Sequence, residues 1–366
     1  MPPAPPMAAR MVAILALAVV LSGCSPAAQA SPSVMGSEPA TTATLGQSSP
    51  AIVGWSELAV AGAVPAARED HTWTISPDGA TAYLFGGRDG GTVYGDLWSY
   101  SLGSNTWSAV AVSGKEPPAR FGHNAAWADG IGLVIFAGQA GGDFFNDLWA
   151  YDPATNAWRS LPASGSLPVA RYGSCAAVGP DGRLWMSHGF TSEGQRFADT
   201  RAYDFVAGNW TDETPAGDAP IQRCLHACWW TDDGALRLYG GQTTRTIALG
   251  DLWQLTRGER PGTNAWTQTD VVQGMPPARN LYAASHWGDG ALVIGGQGAD
   301  GDYLADTWWL ADSTTAWEQV DATGPSARSG AELIADADGG RLLLFGGRDS
   351  TVVFGDLWQL AVPDQP

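Results

Sequence analysis

The stretch RSGAELIADADGGRLLLFGGRDSTVVFGDLWQL, from Arg328 to Leu360, reads as three strands of one antiparallel sheet. Ala331-Glu332-Leu333-Ile334 and Leu342-Leu343-Leu344-Phe345 are runs of buried-strand type. Asp338-Gly339 lies between them, and an Asp-Gly pair supplies the positive φ angles of a tight type I′ hairpin. The doublet Gly346-Gly347 ends the second run, where backbones crowd or φ must be positive. Asp356-Leu357-Trp358 then opens a third strand.

The same order of landmarks recurs upstream, and a fixed period is the first thing a repeat fold shows. Asp-Gly pairs stand at Asp78, Asp129, Asp181, Asp233, Asp289 and Asp338. An arginine precedes each by one strand: Arg68, Arg120, Arg171, Arg223, Arg279 and Arg328. A glycine doublet or its relic follows, as Gly86-Gly87, Ala137-Gly138, His188-Gly189, Gly240-Gly241, Gly295-Gly296 and Gly346-Gly347. Asp96, Asp147, Asp199, Asp251, Asp306 and Asp356 come next, all but Asp199 with Trp two residues on. Trp107, Trp158, Trp210, Trp266 and Trp317 close the first five units, and Asn105, Asn156 and Asn264 suit the turn before a fourth strand. Each unit is a four-stranded antiparallel sheet.

The Pro-Pro-Ala-Arg start, the glycine doublet, the Asp-Leu-Trp segment and the final Trp resemble the kelch repeat, which implies a β-propeller. The resemblance covers residues 52–360. The expected fold is all-β, a six-bladed kelch-type propeller over 51–361 with a short tail, 362–366. The sixth unit lacks a closing Trp, while Trp55-Ser56 stands alone ahead of the first and matches Trp107-Ser108. An N-terminal strand therefore completes the last blade.

Composition excludes other classes. The chain has 366 residues, 47 glycines, 18 tryptophans and a formal charge of −18. Coiled coils and helical solenoids need few glycines, and a disordered acidic tail would lack the tryptophans. Nucleic-acid binding needs basic clusters, but Lys115 is the one lysine. Ahead of the repeats, Arg10 precedes the apolar run Met11–Leu21, which is too short to span a bilayer and leads into Leu21-Ser22-Gly23-Cys24. This resembles the bacterial lipobox, implying a signal peptide over 1–23, lipidation of Cys24 and an extracytoplasmic, membrane-anchored lipoprotein. The alternative is cleavage after Ala28-Gln29-Ala30 and simple secretion. Residues 24–50 read as a flexible tether. Membrane association would come from the lipid alone, since an acidic surface repels anionic headgroups.

The six arginines have two readings. In peptide-binding kelch domains, arginines at this place line the channel mouth, and six of them would form a positive funnel for an anion. Equally, inter-blade pairs with the six repeated aspartates would serve closure alone. His71, His123 and His226 read as inter-blade hydrogen-bonding residues, and no metal site or cofactor is expected. Blade 3 is irregular, with His188, Arg201 and the loop Thr191–Arg196, and blade 4 adds Arg245 and an insert. Glu193, Arg196 and Arg245 are therefore ligand-binding candidates on the loop face. Besides Cys24 there are three cysteines, and a Cys175–Cys224 disulfide would staple adjacent blades.

No catalytic motif occurs. The favoured reading is a monomeric, non-catalytic module that recognises an envelope protein or glycan. The alternative is a periplasmic sugar-acid isomerase or mutarotase-like enzyme, and it turns on whether Glu193, Glu69 or Asp70 faces the channel mouth.

Overall fold

The computed structural model describes residues 54–361, except 61, 259, 261, 271–273 and 337–339. The signal peptide, Cys24, the tether, the Asp338-Gly339 turn and the tail lie outside the described residues.

Six antiparallel blades of four strands form a propeller, and Ser164–Gly165 adds a short parallel strand to the outer edge of blade 3. Blade 1 contains Thr72–Ile75, Thr81–Phe85, Leu97–Ser101 and Thr106–Ala109, paired in chain order. The innermost strands of blades 2–6 are Asn124–Ala128, Cys175–Val178, Ala227–Trp230, Ala283–Trp287 and Ser329–Asp336. Each neighbours the next, and the sixth neighbours the first, so the ring is closed around one axis. The closure is the expected one. Gly54–Glu57 pairs antiparallel with Leu357–Ala361, placing Trp55 opposite Leu360 as the fourth strand of blade 6.

Both faces of every blade are covered by a neighbour, which is why the second strands read as unbroken apolar runs. Phe85 and Leu97 of blade 1 share one core with Leu133, Ile135, Trp149 and Trp158 of blade 2. The closing Trp of each unit sits in such a joint, with Trp158 5.2 Å from Phe85 between ring centroids.

The Asp-Gly turns differ from the type I′ expectation. In blades 1–4 only the glycine (Gly79, Gly130, Gly182, Gly234) takes positive φ. The loop is longer than two residues, as Ser76 N–H donates to Thr81 O across residues 77–80. The Asp78 carboxylate instead accepts from Ala80 N–H and Ser76 Oγ, an Asx-type turn. Asn105 and Asn156 adopt the left-handed region and accept from the Tyr100 and Tyr151 hydroxyls.

Trp55 is 9% exposed and its indole donates to Thr307 Oγ1 of blade 5. Trp55→Ala is expected to destabilise the propeller by about 3–5 kcal/mol, the range for emptying a buried Trp site. Urea unfolding checks this, and an unchanged midpoint would mean that the ring closes without this strand.

Candidate functional site

The six repeat arginines are buried, five at 0% exposure and Arg328 at 3%. Each Nε donates to the carbonyl two residues back, at 2.9–3.2 Å. Each Nη1 donates to the carbonyl of the doublet's first residue, at 2.8–2.9 Å. The fork then closes on the aspartate of the same repeat, as in Arg171–Asp199 at 2.6 and 3.0 Å. Tyr94, Phe145, Phe197 and Phe354 lie under four of the guanidiniums at 4.0–4.2 Å. The arginine crown expected at the channel mouth is thus corrected: Arg68, Arg120, Arg171, Arg223, Arg279 and Arg328 are buried in their own blades, with at least four of the five N–H groups of each donating to protein acceptors. The closure reading also needs adjusting. The ion pair is internal to one blade, and the arginine's main chain crosses the joint, as Arg120 N–H donates to Tyr94 O and Arg120 O accepts from Gly87 N–H.

This geometry explains the other landmarks. A Cβ on Gly86 would lie 2.5 Å from Arg120 O, at a φ of +66°. The Trp after each aspartate donates its indole N–H to the carboxylate, at 2.6–2.7 Å. In blade 3 Arg201 Nε makes that bond to Asp199, so the missing Trp is a substituted donor rather than a lost one.

Two residues after each arginine the chain turns left-handed. Asp70, Gly122, Gly173, Leu225, Leu281 and Gly330 have φ of 51–66°. Their N–H groups donate in a circle, each to the carbonyl of the preceding blade's counterpart, at 2.7–3.1 Å. Six backbone hydrogen bonds therefore ring the channel at this end. Tyr172 of blade 3 reaches along the ring over blade 2 to blade 1: its ring lies where a Cβ on Gly122 would be, and its hydroxyl donates to Asp70 Oδ2 at 3.0 Å. Asp70 is also paired with Arg88 at 2.9 Å, and Glu69 with Arg88 and Arg348 at 3.2 and 3.4 Å. Burial nonetheless pushes both carboxyls up. Glu69 and Asp70 do sit at the mouth, but as ion-paired capping groups, which lends the isomerase reading no support.

The other candidates divide. Glu193 and Arg245 are exposed on loops joining second and third strands, and half-buried Arg196 lies over Phe190 at 5.6 Å. His123 hydrogen-bonds Thr72 across the first joint at 2.8 Å. His71 instead stands edge-on to Phe345 and His226 edge-on to His188, so these two are packing rings as well. Burial drives His71 and His188 down to about 3, and His123 and His226 well below the usual value. Asp232, His286 and Asp312 bring ligand atoms within 4.8 Å of one another. Arg237 Nη1 already stands 3.9 Å from Asp312, supplying positive charge there, so the group is an ion-pair network.

The disulfide expectation is corrected. Cys175 bonds Cys228, with Cα atoms 5.8 Å apart, and Cys224 is a buried thiol beside Gln242. Cys224 precedes the left-handed ring residue and faces its own blade. Cys228 lies on the innermost strand, where it meets Cys175 of the adjacent blade. The staple joins blades 3 and 4 as expected, through a different partner.

The strands enclose a central cavity of about 440 Å³, lined by the innermost strands of all six blades. Outside it, eight large apolar side chains are exposed among the described residues. Val64, Leu167, Val169, Ile221 and Met275 lie on connections between blades, Ile247 and Val352 on loops between second and third strands. All seven rim the Arg88 face, and Val206 alone is on the opposite one. Sequence reasoning placed the irregular loops on this face but had no signal for the rim, because each residue sits in an aperiodic loop.

The KLHDC2/KLHL20/DRC7 Kelch-repeats domain model matches residues 49–241 and 209–365. Multiple epidermal growth factor-like domains protein 8 of Homo sapiens is 33% identical over 238 residues, 61% of this chain and 8% of that protein. Kelch domain-containing protein 3 of Bos taurus is 28% identical over 213 residues, 55% of each chain. The Leucine-zipper-like transcriptional regulator 1 homolog of Drosophila melanogaster is 26% identical over 320 residues, 83% of this chain and 32% of that protein. The matches thus span between 8% and 55% of these relatives' lengths.

Two outcomes follow. Arg171→Ala is expected to cost about 3–5 kcal/mol by urea unfolding, since it strands two carbonyls and leaves Asp199 with Arg201 alone, and Arg171→Lys restores little because one ammonium cannot make the fork. Stability is also expected to vary with pH on both sides. The buried histidines have folded values below the unfolded 6.5, so their contribution is complete above that and lost as pH falls towards about 3. Glu332, raised to about 8 from 4.5, acts in the opposite sense, and stability is lost as pH rises between those values. Urea midpoints from pH 4 to 9 check both limbs, and a flat profile would contradict the burial described.

Proposed function

The chain belongs to the kelch-repeat family, and on that premise we propose that its propeller is a non-catalytic recognition module for an envelope protein, held at the membrane by a lipid on Cys24. The observation that carries this reading is the rim. Seven of the eight large apolar side chains exposed among the described residues stand on one face, an arrangement that marks interaction surfaces. Leu167, Val169, Ile221 and Ile247 flank blades 3 and 4, beside Glu193, Arg196 and Arg245. Aliphatic groups ringed by a few charges suit a protein surface. None of the eight is aromatic, whereas aromatic faces would be needed to stack on sugar rings, so protein is favoured over glycan. Loop presentation on a braced ring suits recognition without reorganisation.

Export has separate support. The Cys175–Cys228 disulfide belongs in an oxidising compartment. It agrees with the Arg10–Cys24 segment read as a lipoprotein signal. The domain descriptions of the relatives support the module and say nothing of the anchor.

In-cell cross-linking of the full chain tests the reading against an Ile221→Asp/Ile247→Asp variant, with Cys24→Ser alongside. A cross-linked envelope protein is expected with the parent and is lost in the rim variant. The Cys24→Ser chain is expected to lose incorporated palmitate and leave the membrane fraction. Identical cross-links in parent and rim variant would overturn the recognition surface, and palmitate retained by Cys24→Ser would overturn the anchor.

A further inference from the structure

The central cavity carries a second inference, independent of the rim. Its lining includes two carboxylic acids, Asp70 and Glu332, and neither lysine nor arginine. Asp70 is engaged by Arg88 and the Tyr172 hydroxyl. Glu332, on the innermost strand of blade 6, makes no hydrogen bond or ion pair among the described residues. Its counterparts in other blades are Thr72, Asn124, Cys175, Ala227 and Ala283. Thr72 and Asn124 there bond across the joint to the next blade, to His123 and Ser174. For Glu332 the corresponding residue is His71, and neither ring nitrogen of His71 has a hydrogen-bond partner among the described residues. A carboxyl and a neutral imidazole at adjacent registers are thus both left with unused acceptors.

Glu332 is half-buried and faces the cavity, and a carboxyl held there is destabilising in its charged form unless something answers it. The answer has to be a cation with hydrogens to give. A bare metal ion needs several oxygen ligands, and the lining offers one unengaged carboxylate. The wall is mixed: Ala125, Ala176, Ile334 and the Cys175–Cys228 bridge are small or apolar, while Thr74, Asn124, Ser174 and Ser285 add hydroxyl and amide groups. The apolar part suits an alkyl chain and the polar part its ammonium end.

The six backbone hydrogen bonds, with Tyr172 reaching over Gly122 to Asp70, narrow the channel at the Arg88 end, which favours entry from the end bearing the Asp-Gly hairpins. There Asp78, Asp129, Asp233 and Asp289 have no ion-pair partner among the described residues. Asp181 is paired with Arg183 and Arg257, Asp312 with Arg237, and Asp336 with Arg341. A smaller cavity of about 270 Å³, lined by Trp127 and Asp129 among others, shares Ile75 and Ala335 with the central one. A Trp face beside an acid is a further attraction for an ammonium group.

We propose that the channel binds an alkylammonium group, entering from the hairpin end and held by the Glu332 carboxylate. Putrescine has this chemistry as a free amine, and a lysine side chain of a polypeptide has it as well. Binding couples to a proton, because burial and Asp70 keep the Glu332 carboxyl up at about 8 and an ammonium ion favours its charged form. Of the other titratable groups lining the cavity, His71, His123 and His226 are held neutral by burial. Tyr172 and Tyr282 are pushed up and stay protonated, and His286 faces Asp312 at 2.9 Å.

Isothermal titration of the full-length chain with putrescine tests this, with 1,4-butanediol, MgCl2 and an acetyl-Gly-Lys-Gly-amide peptide as further arms. Putrescine is expected to bind while butanediol and magnesium do not, with affinity rising roughly tenfold per pH unit from pH 6 to 8. Glu332→Gln is expected to weaken it at least tenfold while leaving the chain folded, with an unfolding midpoint at pH 8 no lower than the parent's. Binding of the peptide but not putrescine would support the site and identify its source as a lysine side chain. Binding of neither amine, magnesium displacing putrescine, or equal affinity in Glu332→Gln would overturn the proposal. Should Glu332→Gln not fold, the parent's pH dependence decides alone, and an affinity flat with pH overturns it.

Discussion

The propeller depends on where its buried arginines put their hydrogen bonds. At every joint the chain must leave one blade's outer edge, run inward and start the next blade's first strand. The carbonyls along that path have no ladder partner, and buried carbonyls need one. A guanidinium meets the demand because its donors diverge in a plane: one to the carbonyl behind it, one to the doublet's carbonyl, and a pair to the aspartate. Buried ion pairs do not stabilise by charge alone, since desolvation offsets the Coulomb gain. Here the charge is the means of holding several main-chain acceptors, and the aspartate keeps the fork from being a lone buried cation. That is why all six positions are filled, a uniformity that a binding site would not require.

The second constraint is the circle of six backbone hydrogen bonds just inside the arginines. It demands a left-handed residue in every blade, and glycine meets that at three positions. The three glycines also leave space that neighbours use. Tyr172 lies over Gly122, Leu225 over Gly173, and the Asp70 side chain beside Gly330. Leu225 and Leu281 take the strained conformation themselves, which the surrounding ring over-determines. The cap at one end of the channel is thus assembled from the same positions that close the ring. An anion funnel there is incompatible with it: the cations that do reach the mouth, Arg88 and Arg348, are neutralised by Glu69 and Asp70.

Blade number, order and the N-terminal closure were legible because each rests on a residue type that the geometry cannot replace freely. The glycine after the hairpin aspartate, the arginine, the Asp-x-Trp pair and the unmatched Trp55 are of that kind. What the letters could not convey was direction. Arg171 and Glu332 are both charged residues near an axis, yet one points into its own blade and the other lines the channel. The disulfide shows the same limit. Cys224 and Cys228 are four apart, and which of them meets Cys175 depends on the left-handed turn at Leu225 between them. Arg201 looked like an irregularity and proved to be a donor in place of Trp, so loss of a motif letter was not loss of its bond.

The acids around the hairpin end need separating by cause. Asp78 and Asp181 accept main-chain N–H groups within their turns, so their presence follows from turn chemistry, and the negative field of those without an ion-pair partner is a by-product of the repeat. Glu332 has no such account. No turn, cap or lattice of ion pairs calls for it, its counterparts in the other blades are small or neutral, and its position lowers stability as pH rises. A residue that the fold does not require and that weakens the fold is where a functional demand is most economically placed. The repeat supplies the attraction for a cation at the mouth, and a single departure from the repeat supplies the place for it to stop.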